Sequence, residues 1–79
     1  MVTRTGKAMA RMKVDPADWR IESLLSIAAA FSVATFQRGG SHVIFRHPNG
    51  AMLSVPARRP IKAVYVRKFV RLIEEGVVE

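Results

Sequence analysis

The chain first shows a helical spacing of apolar residues, which begins at the stretch "DPADW". Asp15 is a favoured N-cap residue, Pro16 a favoured first helical residue, and Asp18 lies where a carboxylate can return a hydrogen bond to the cap. The apolar positions of this stretch fall on one helical face: Ala17, Ile21, Leu24, Leu25 and Ala28. This spacing predicts a helix from Pro16 to Ala29.

The period then changes to the two-residue alternation that is typical of strands. From Phe31 to Gln37 one set of residues alternates with another, which favours a strand. The first set is Phe31, Val33 and Thr35, and the second is Ser32, Ala34 and Phe36. The chain turns at Gly39 and Gly40, and "SHVIFRH" follows as a second strand. The turn residues of "PNG" then close a hairpin onto a third strand, "AMLSV". The sequence therefore predicts three short antiparallel strands.

The alternation within the second strand assigns its residues to two faces of the sheet. Successive side chains of a strand point to opposite faces. Val43 and Phe45 are therefore expected to enter the core. His42, Ile44 and Arg46 share the other face, so a histidine and a cation lie on the side away from the core.

A second amphipathic stretch follows the stiff basic loop "PARRP". Its apolar stripe consists of Ile61, Tyr65, Phe69, Leu72 and Ile73. The cations lie largely off that stripe: Lys62, Arg67, Lys68 and Arg71. The pattern predicts a helix that ends near Gly76. The fold class is thus α+β, in the order helix, three-stranded antiparallel sheet, helix, with both helices covering one face of the sheet.

The length of the chain limits it to one compact domain. It has 79 residues, of which 49% are apolar, enough for a globular fold. We expect residues 1–14 to form a flexible basic arm and residues 15–79 to form a single domain. The arm offers cations to phosphate groups: Arg4, Lys7, Arg11 and Lys13. A solvated tail, or translation from Met12 in place of Met1, is an equally good interpretation of these residues.

Targeting and membrane segments are not expected. The N-terminal residues lack the apolar stretch of 7 to 15 residues that a signal peptide needs. No apolar run approaches the roughly 20 residues that span a bilayer. These features predict a cytoplasmic protein without a membrane partner.

The distribution of charge is more informative than the net charge of +7. From Ser23 to Ile73 the chain contains no carboxylate, although eight of its cations lie there: Arg38, Arg46, Arg58, Arg59, Lys62, Arg67, Lys68 and Arg71. Uncompensated positive charge over the body of a domain is typical of nucleic-acid binding or of an acidic protein partner. A basic surface that serves solubility alone is the simpler alternative.

His42 is the residue with the clearest chemical potential. Imidazole can take up a proton at neutral pH, so it can act as a general base on a ribose 2′-hydroxyl and start cleavage of the adjacent phosphodiester. Ser41 and the backbone amides of Gly39 and Gly40 can hold the phosphate. The cations that can stabilise its developing charge are Arg46, Arg58 and Lys62. A strand histidine is more often structural, however, and a glycine pair is more often only a turn.

The second histidine is assigned differently. His47 lies five residues after His42, so strand alternation places the two rings on opposite faces. We therefore interpret His47 as a turn or rim residue.

The composition disfavours other chemistries. The chain has no cysteine, which excludes disulfides and thiolate metal sites. The carboxylates are confined to the two ends of the chain, whereas a two-metal centre needs several converging oxygens. No phosphate-loop motif is present, and Ser41 lacks the histidine and aspartate relay of a nucleophilic serine. We expect neither a metal nor a cofactor.

The segment "GGSHVIFRHPNGAMLSVPARRPIK" followed by "VYVRKFVRLIEE" resembles the HicA toxins, the mRNA-cleaving members of HicA and HicB toxin-antitoxin pairs. The resemblance extends over about Trp19 to Glu75, and its most specific part is the Gly-Ser-His element before a strand. It implies a fold like the double-stranded-RNA-binding domain and a ribonuclease that inhibits translation, with His42 as the catalytic residue. It also implies neutralisation by a HicB-like antitoxin and no cofactor.

Two positions depart from the pattern of that family. Ala30 stands where relatives commonly have glycine, and a left-handed backbone there would cost about 1–2 kcal/mol. Arg58 stands where close relatives tend to have histidine, which predicts weaker cleavage with RNA binding kept if that histidine assists catalysis.

The leading hypothesis is a small endoribonuclease toxin that acts on single-stranded mRNA. Its predicted RNA-binding residues are Arg38, Gly40, Ser41, Arg46, Arg58, Lys62 and Lys68. One alternative is a non-catalytic RNA-binding module of the same fold. Another is a basic docking domain for an acidic protein.

Overall fold

The computed structural model describes residues 4–78, except for the side chains of Arg4, Thr5 and Arg38. Its elements are α1 (Arg4–Val14), α2 (Ile21–Ala30), β1 (Ala34–Arg38), β2 (His42–Arg46), β3 (Met52–Pro56) and α3 (Ala63–Glu75). The strands form one antiparallel sheet in the order β1-β2-β3. The predicted α+β order of helix, three antiparallel strands and helix is confirmed, with one further helix in front.

The core lies between the sheet and the helices. Exposure alternates along β2 as predicted, because Val43 and Phe45 are buried while His42 and Arg46 are exposed. The ring of Phe45 meets that of Phe69 on α3 edge to face, with 4.9 Å between the ring centroids. Residues of all three helices join this core, so the helices cover one face of the sheet.

The opposite face of the sheet is not covered by any described helix, and we call it the open face. The strand register places its residues in rows across the three strands. The residues that define it here are Phe36, His42, Ile44, Arg46, Met52 and Ser54. The predicted position of His42 and Arg46 away from the core is therefore confirmed.

Helix α1 stands where the sequence predicts a flexible arm. Met9 and Met12 are 5% and 1% exposed, so the helix is anchored in the core. Lys13 pairs with Glu74 of α3 at 2.6 Å, and the Arg11 guanidinium lies 5.5 Å from the Trp19 ring centroid. These cations of the expected arm therefore make contacts within the protein. Met1 to Thr3 lie outside the described residues.

Helix α2 begins five residues later than predicted. Asp15 does not cap it, since its Oδ1 accepts a hydrogen bond from the Ala17 amide at 3.2 Å. Such local bonds compete with helix formation. Asp18 has a left-handed φ of 62°, and the indole of Trp19 donates to the Asp15 carbonyl at 2.7 Å. The segment is consequently a compact loop before α2.

Strand β1 also begins later than predicted. Phe31 and Ser32 form a turn after α2, and Ser32 has a φ of 60°. The left-handed residue of this connection is therefore Ser32. Ala30 is the last residue of α2, so the strain considered for Ala30 does not arise there.

The turn between β2 and β3 is tied to the end of α3. His47 is a turn residue as predicted, because its Nδ1 accepts a hydrogen bond from the Asn49 amide at 3.1 Å. The side chain of Asn49 donates to the Gly76 carbonyl at 3.0 Å. Gly76 has a φ of 67°, and its amide donates to Leu72, which confirms it as the end of the helix.

Gly76→Ala is expected to destabilise the protein more than Gly39→Ala does. Both residues have a positive φ, so alanine strains the backbone at each. A Cβ at Gly76 collides with the side chain of Asn49, whereas one at Gly39 meets nothing within 4 Å. The displaced Asn49 loses its hydrogen bond, which adds about 1 kcal/mol to the loss at Gly76. Urea unfolding measures both variants, and equal losses would contradict this contact.

Candidate active site

Three segments that are distant in sequence enclose one pocket with a volume of about 430 Å³. The start of β2 and the turn before it contribute Gly40, Ser41 and His42. The end of β3 and the residues after it contribute Pro56, Ala57 and Arg58, and the start of α3 contributes Lys62 and Tyr65. The structure thus brings together five predicted site residues: Gly40, Ser41, His42, Arg58 and Lys62.

Backbone hydrogen bonds hold these segments in place. His42 lies opposite Pro56 in the sheet, and the Ala57 amide donates to the Ser41 carbonyl at 2.9 Å. This contact extends the pairing beyond β3 and sets the direction of the chain towards Arg58. The Ile61 amide then donates to the Trp19 carbonyl at 2.7 Å. That bond fixes the loop just before Lys62.

The imidazole of His42 is oriented by its neighbour. Its Nδ1 lies 3.1 Å from the Ser41 hydroxyl oxygen. When Nδ1 carries the hydrogen and donates to Ser41, Nε2 has a lone pair and can take a proton. When Ser41 donates instead, Nε2 carries the hydrogen. Ser41 therefore acts on the orientation and tautomer of the ring, a role beyond the phosphate contact that the sequence suggested.

The pocket is lined by positive charge, and Asp18 lines a neighbouring cavity together with Arg58 and Lys62 without forming an ion pair with either. None of the pocket's eight lining residues is acidic. Within residues 4–78, Arg58 and Lys62 are in no ion pair, whereas the adjacent Arg59 lies 3.9 Å from a carboxylate oxygen of Glu22. Both cations are exposed and can turn towards a bound anion. The arrangement favours a phosphate group next to an imidazole.

Tyr65 is the polar residue of the pocket that sequence reasoning missed. It was assigned to the apolar stripe of the last helix, and it does pack half-buried against the core. Its phenol belongs to the lining of the pocket and can donate or accept a hydrogen bond. The sequence contains one indication of this role, because Tyr65 follows Lys62 by three residues and both therefore lie near the start of the same helix.

Two other predicted RNA-binding residues, Arg46 and Lys68, lie outside this pocket. Arg46 is at the far end of β2, about 13 Å from His42 along the strand. Lys68 is half-buried on α3, about 9 Å from Lys62 along the helix axis. Arg38 lies opposite His42 in the register of β1 and β2, and its side chain is outside the described part of the chain.

A larger cavity of about 650 Å³ lies between the end of α1 and the loop before α2. It is lined by Arg11, Asp15, Asp18 and Trp19, among others, and contains no histidine. The positive charge of Arg11 is offset by the carboxylates in the same lining. The indole N–H of Trp19 already donates a hydrogen bond to the Asp15 carbonyl. The smaller pocket at His42 therefore has the better chemistry for a functional site.

Residues 4–78 contain neither a metal-binding cluster nor a membrane-spanning helix. No group of three or more histidine, aspartate or glutamate residues among them is placed to hold a metal ion. No helix among them is sufficiently long and apolar to span a bilayer.

Comparison with known proteins finds no family model, curated protein or solved structure that matches this chain.

Proposed function

We propose that this protein is a small endoribonuclease that cleaves single-stranded mRNA. The observation that supports the proposal is the pocket that His42 and its orienting partner Ser41 line together with Arg58 and Lys62, two cations that are in no ion pair within residues 4–78. An imidazole beside a phosphate-binding surface is suited to phosphodiester cleavage that uses the RNA's own 2′-hydroxyl as nucleophile.

The proposed reaction proceeds by internal transesterification. Nε2 of His42 takes the proton of the 2′-hydroxyl, the 2′-oxygen bonds to the adjacent phosphorus, and the bond from phosphorus to the 5′-oxygen breaks. The 5′-oxygen leaves with a proton from water, and His42 later releases its proton to solvent. The products are a 2′,3′-cyclic phosphate and a 5′-hydroxyl. Arg58 and Lys62 stabilise the extra negative charge that develops on the phosphorane.

Single strands are the substrate that the size of the protein favours. Domains that clamp duplex RNA span about 16 base pairs with separated contact regions. Here the β1–β2 connection contains only residues 39–41, the β2–β3 connection only residues 47–51, and the longest dimension is 37 Å. A flexible strand can also place its 2′-oxygen in line with the bond that breaks.

The resemblance to HicA toxins supplies the biological part of the proposal. The chain is proposed to share their fold, which is like the double-stranded-RNA-binding domain, and to inhibit translation in the cytoplasm. A HicB-like antitoxin is proposed to neutralise it. The order of α2, three strands and α3 and the position of His42 at the start of β2 are compatible with that family.

Induction in a bacterial host tests the proposal. The wild-type protein is expected to arrest growth and fragment mRNA, whereas His42→Ala at a matched protein level does neither. Intact mRNA in the presence of folded, antitoxin-free wild-type protein would contradict the proposal. If that protein still binds RNA, it is an RNA-binding module without catalysis.

Neutralising Arg58 and Lys62 is expected to weaken RNA binding and its salt dependence. Because a single-strand phosphate contact contributes about 0.7 to the slope of log affinity against log salt, the double alanine variant should lower that slope by about 1.4. Arg59→Ala combined with Arg67→Ala removes the same charge outside the pocket and serves as the control. Titrations of a single-stranded RNA at several salt concentrations measure both, and equal slopes for the two variants would exclude local phosphate contacts.

A further inference from the structure

The open face of the sheet begins at the pocket. His42 lines the pocket and also lies in the same face as Ile44 and Arg46 on β2. Phe36 of β1 lies directly opposite Ile44, which makes it a diagonal neighbour of both His42 and Arg46. Such neighbours are about 7–8 Å apart, within reach of aromatic and long side chains. Phe36 therefore lies between the imidazole and a cation.

Two large apolar side chains of this face, those of Phe36 and Met52, are exposed, whereas Ile44 is half-buried. Phe36 is 49% exposed and Met52 is 50% exposed. Single exposed apolar residues are ordinary, but here they lie beside Arg46 on a face that adjoins the pocket. The three strands contain no carboxylate, so the whole face is compatible with a polyanion.

These features match the composition of single-strand binding surfaces. Such surfaces combine cations that follow the phosphate backbone with aromatic rings on which bases stack. When the phosphate to be cleaved lies in the pocket, the nucleotides on either side of it extend beyond the pocket. The open face is the surface next to the pocket, so it can bind them. An acidic protein would satisfy the charge of Arg46 equally well, so the preference for RNA depends on the exposed ring of Phe36 beside His42, on which a base can stack.

We propose that the open face binds the nucleotides that flank the cleavage site in single-stranded RNA, with one base stacked on Phe36 and a phosphate held by Arg46. This inference rests on the proposed ribonuclease function and adds a second binding site to it. Base stacking tolerates any base, so the face gives affinity and position with little sequence preference.

A non-cleavable oligonucleotide tests the inference in the complete protein. A 2′-O-methyl hexanucleotide lacks the nucleophilic hydroxyl, and 2-aminopurine placed at successive positions reports stacking through its fluorescence. Phe36→Ala is expected to lower affinity about tenfold, because stacking of one base has that order of strength. The fluorescence quenching at one position should be lost with it. Phe36→Tyr keeps the ring and should restore both.

Phe31→Ala is the matched control. Phe31 is 46% exposed but lies in the turn after α2, outside the sheet, so its loss should leave affinity and quenching unchanged. Circular dichroism and thermal unfolding check that all variants are folded. Because Phe36 is exposed, its replacement is expected to leave the fold intact.

The possible failures are distinguishable. If Phe36→Ala binds and quenches as the wild type does, the open face does not hold RNA, while cleavage of ordinary RNA still tests the pocket. If Phe36→Ala keeps RNA binding but loses binding to a poly-glutamate probe, the face docks acidic protein and the inference is wrong. If the wild-type protein neither binds the hexanucleotide nor cleaves RNA, the proposed function itself fails.

Discussion

Replacing His42 by alanine is expected to slow cleavage of single-stranded RNA by about 10²- to 10⁴-fold, the range of a positioned general base. The side chain is exposed at the pocket, so its removal leaves the core intact. The Ser41 hydroxyl oxygen lies 3.1 Å from Nδ1, and when Nδ1 donates to it, Nε2 is left to accept the proton. Initial rates of purified proteins on one labelled RNA, with folding checked by circular dichroism, measure the effect.

His47→Ala is the matched control for this experiment. His47 binds the Asn49 amide within the β2–β3 turn and is not part of the lining of the pocket. The variant is expected to lose some stability and to keep a cleavage rate close to that of the wild type. A His42→Ala protein that cleaves as fast as the wild type would exclude His42 as the general base.

Met12→Ala is expected to destabilise the protein by about 2–5 kcal/mol, the usual cost of removing a buried methionine side chain from a core. Met12 is 1% exposed and belongs to the same core cluster as residues of α2 and α3. Small domains have a free energy of unfolding of about 5–15 kcal/mol, so this loss is a large part of the total. Urea unfolding followed by circular dichroism measures it.

Met52→Ala provides the comparison for the same residue type. Met52 is 50% exposed on the open face, so its removal is expected to change the free energy of unfolding by no more than about 0.5 kcal/mol. Similar small effects for the two variants would show that α1 does not contribute to the stability of the fold.

The sheet and the last helix are the elements that the sequence predicts well. Strands β2 and β3 each have one buried and one exposed side, so their alternation is visible, whereas the described side chains of β1, 34–37, are all exposed. Glycine or "PNG" turns separate the strands. In α3 the stripe that includes Phe69 repeats at helical spacing, and Gly76 adopts the left-handed conformation that ends a helix. In both cases the local pattern and the tertiary environment favour the same structure.

Helix α1 is missed because its burial depends on distant partners. Within residues 6–14 of this helix, only Met9 and Met12 are buried, and cations surround them in the sequence. A segment of this composition is typical of a solvated tail when read alone. What stabilises it is packing against α2 and α3, which no local pattern encodes. The late start of α2 has a similar cause, since Trp19 pairs with Ile61, 42 positions further along the chain.

The candidate site is predictable in its residues and not in its shape. Ser41 and His42 are adjacent in the sequence, so their proximity in the site is predictable. Arg58 and Lys62 are recognisable as cations, but their place beside His42 depends on the contact between Ala57 and Ser41. Tyr65 was assigned to the core because a half-buried aromatic residue on an apolar stripe has no sequence feature that marks it as pocket lining.

The chemistry of the RNA ends distinguishes the proposed His42 mechanism from other routes of RNA cleavage. Purified protein, incubated with single-stranded RNA in the presence of EDTA, is expected to give fragments with 2′,3′-cyclic phosphate and 5′-hydroxyl ends, while the 2′-O-methyl version of the same RNA stays intact. Those ends require attack by the 2′-hydroxyl, as the His42 mechanism predicts. Fragments with 3′-hydroxyl and 5′-phosphate ends, or no fragments from the folded protein, would contradict the account.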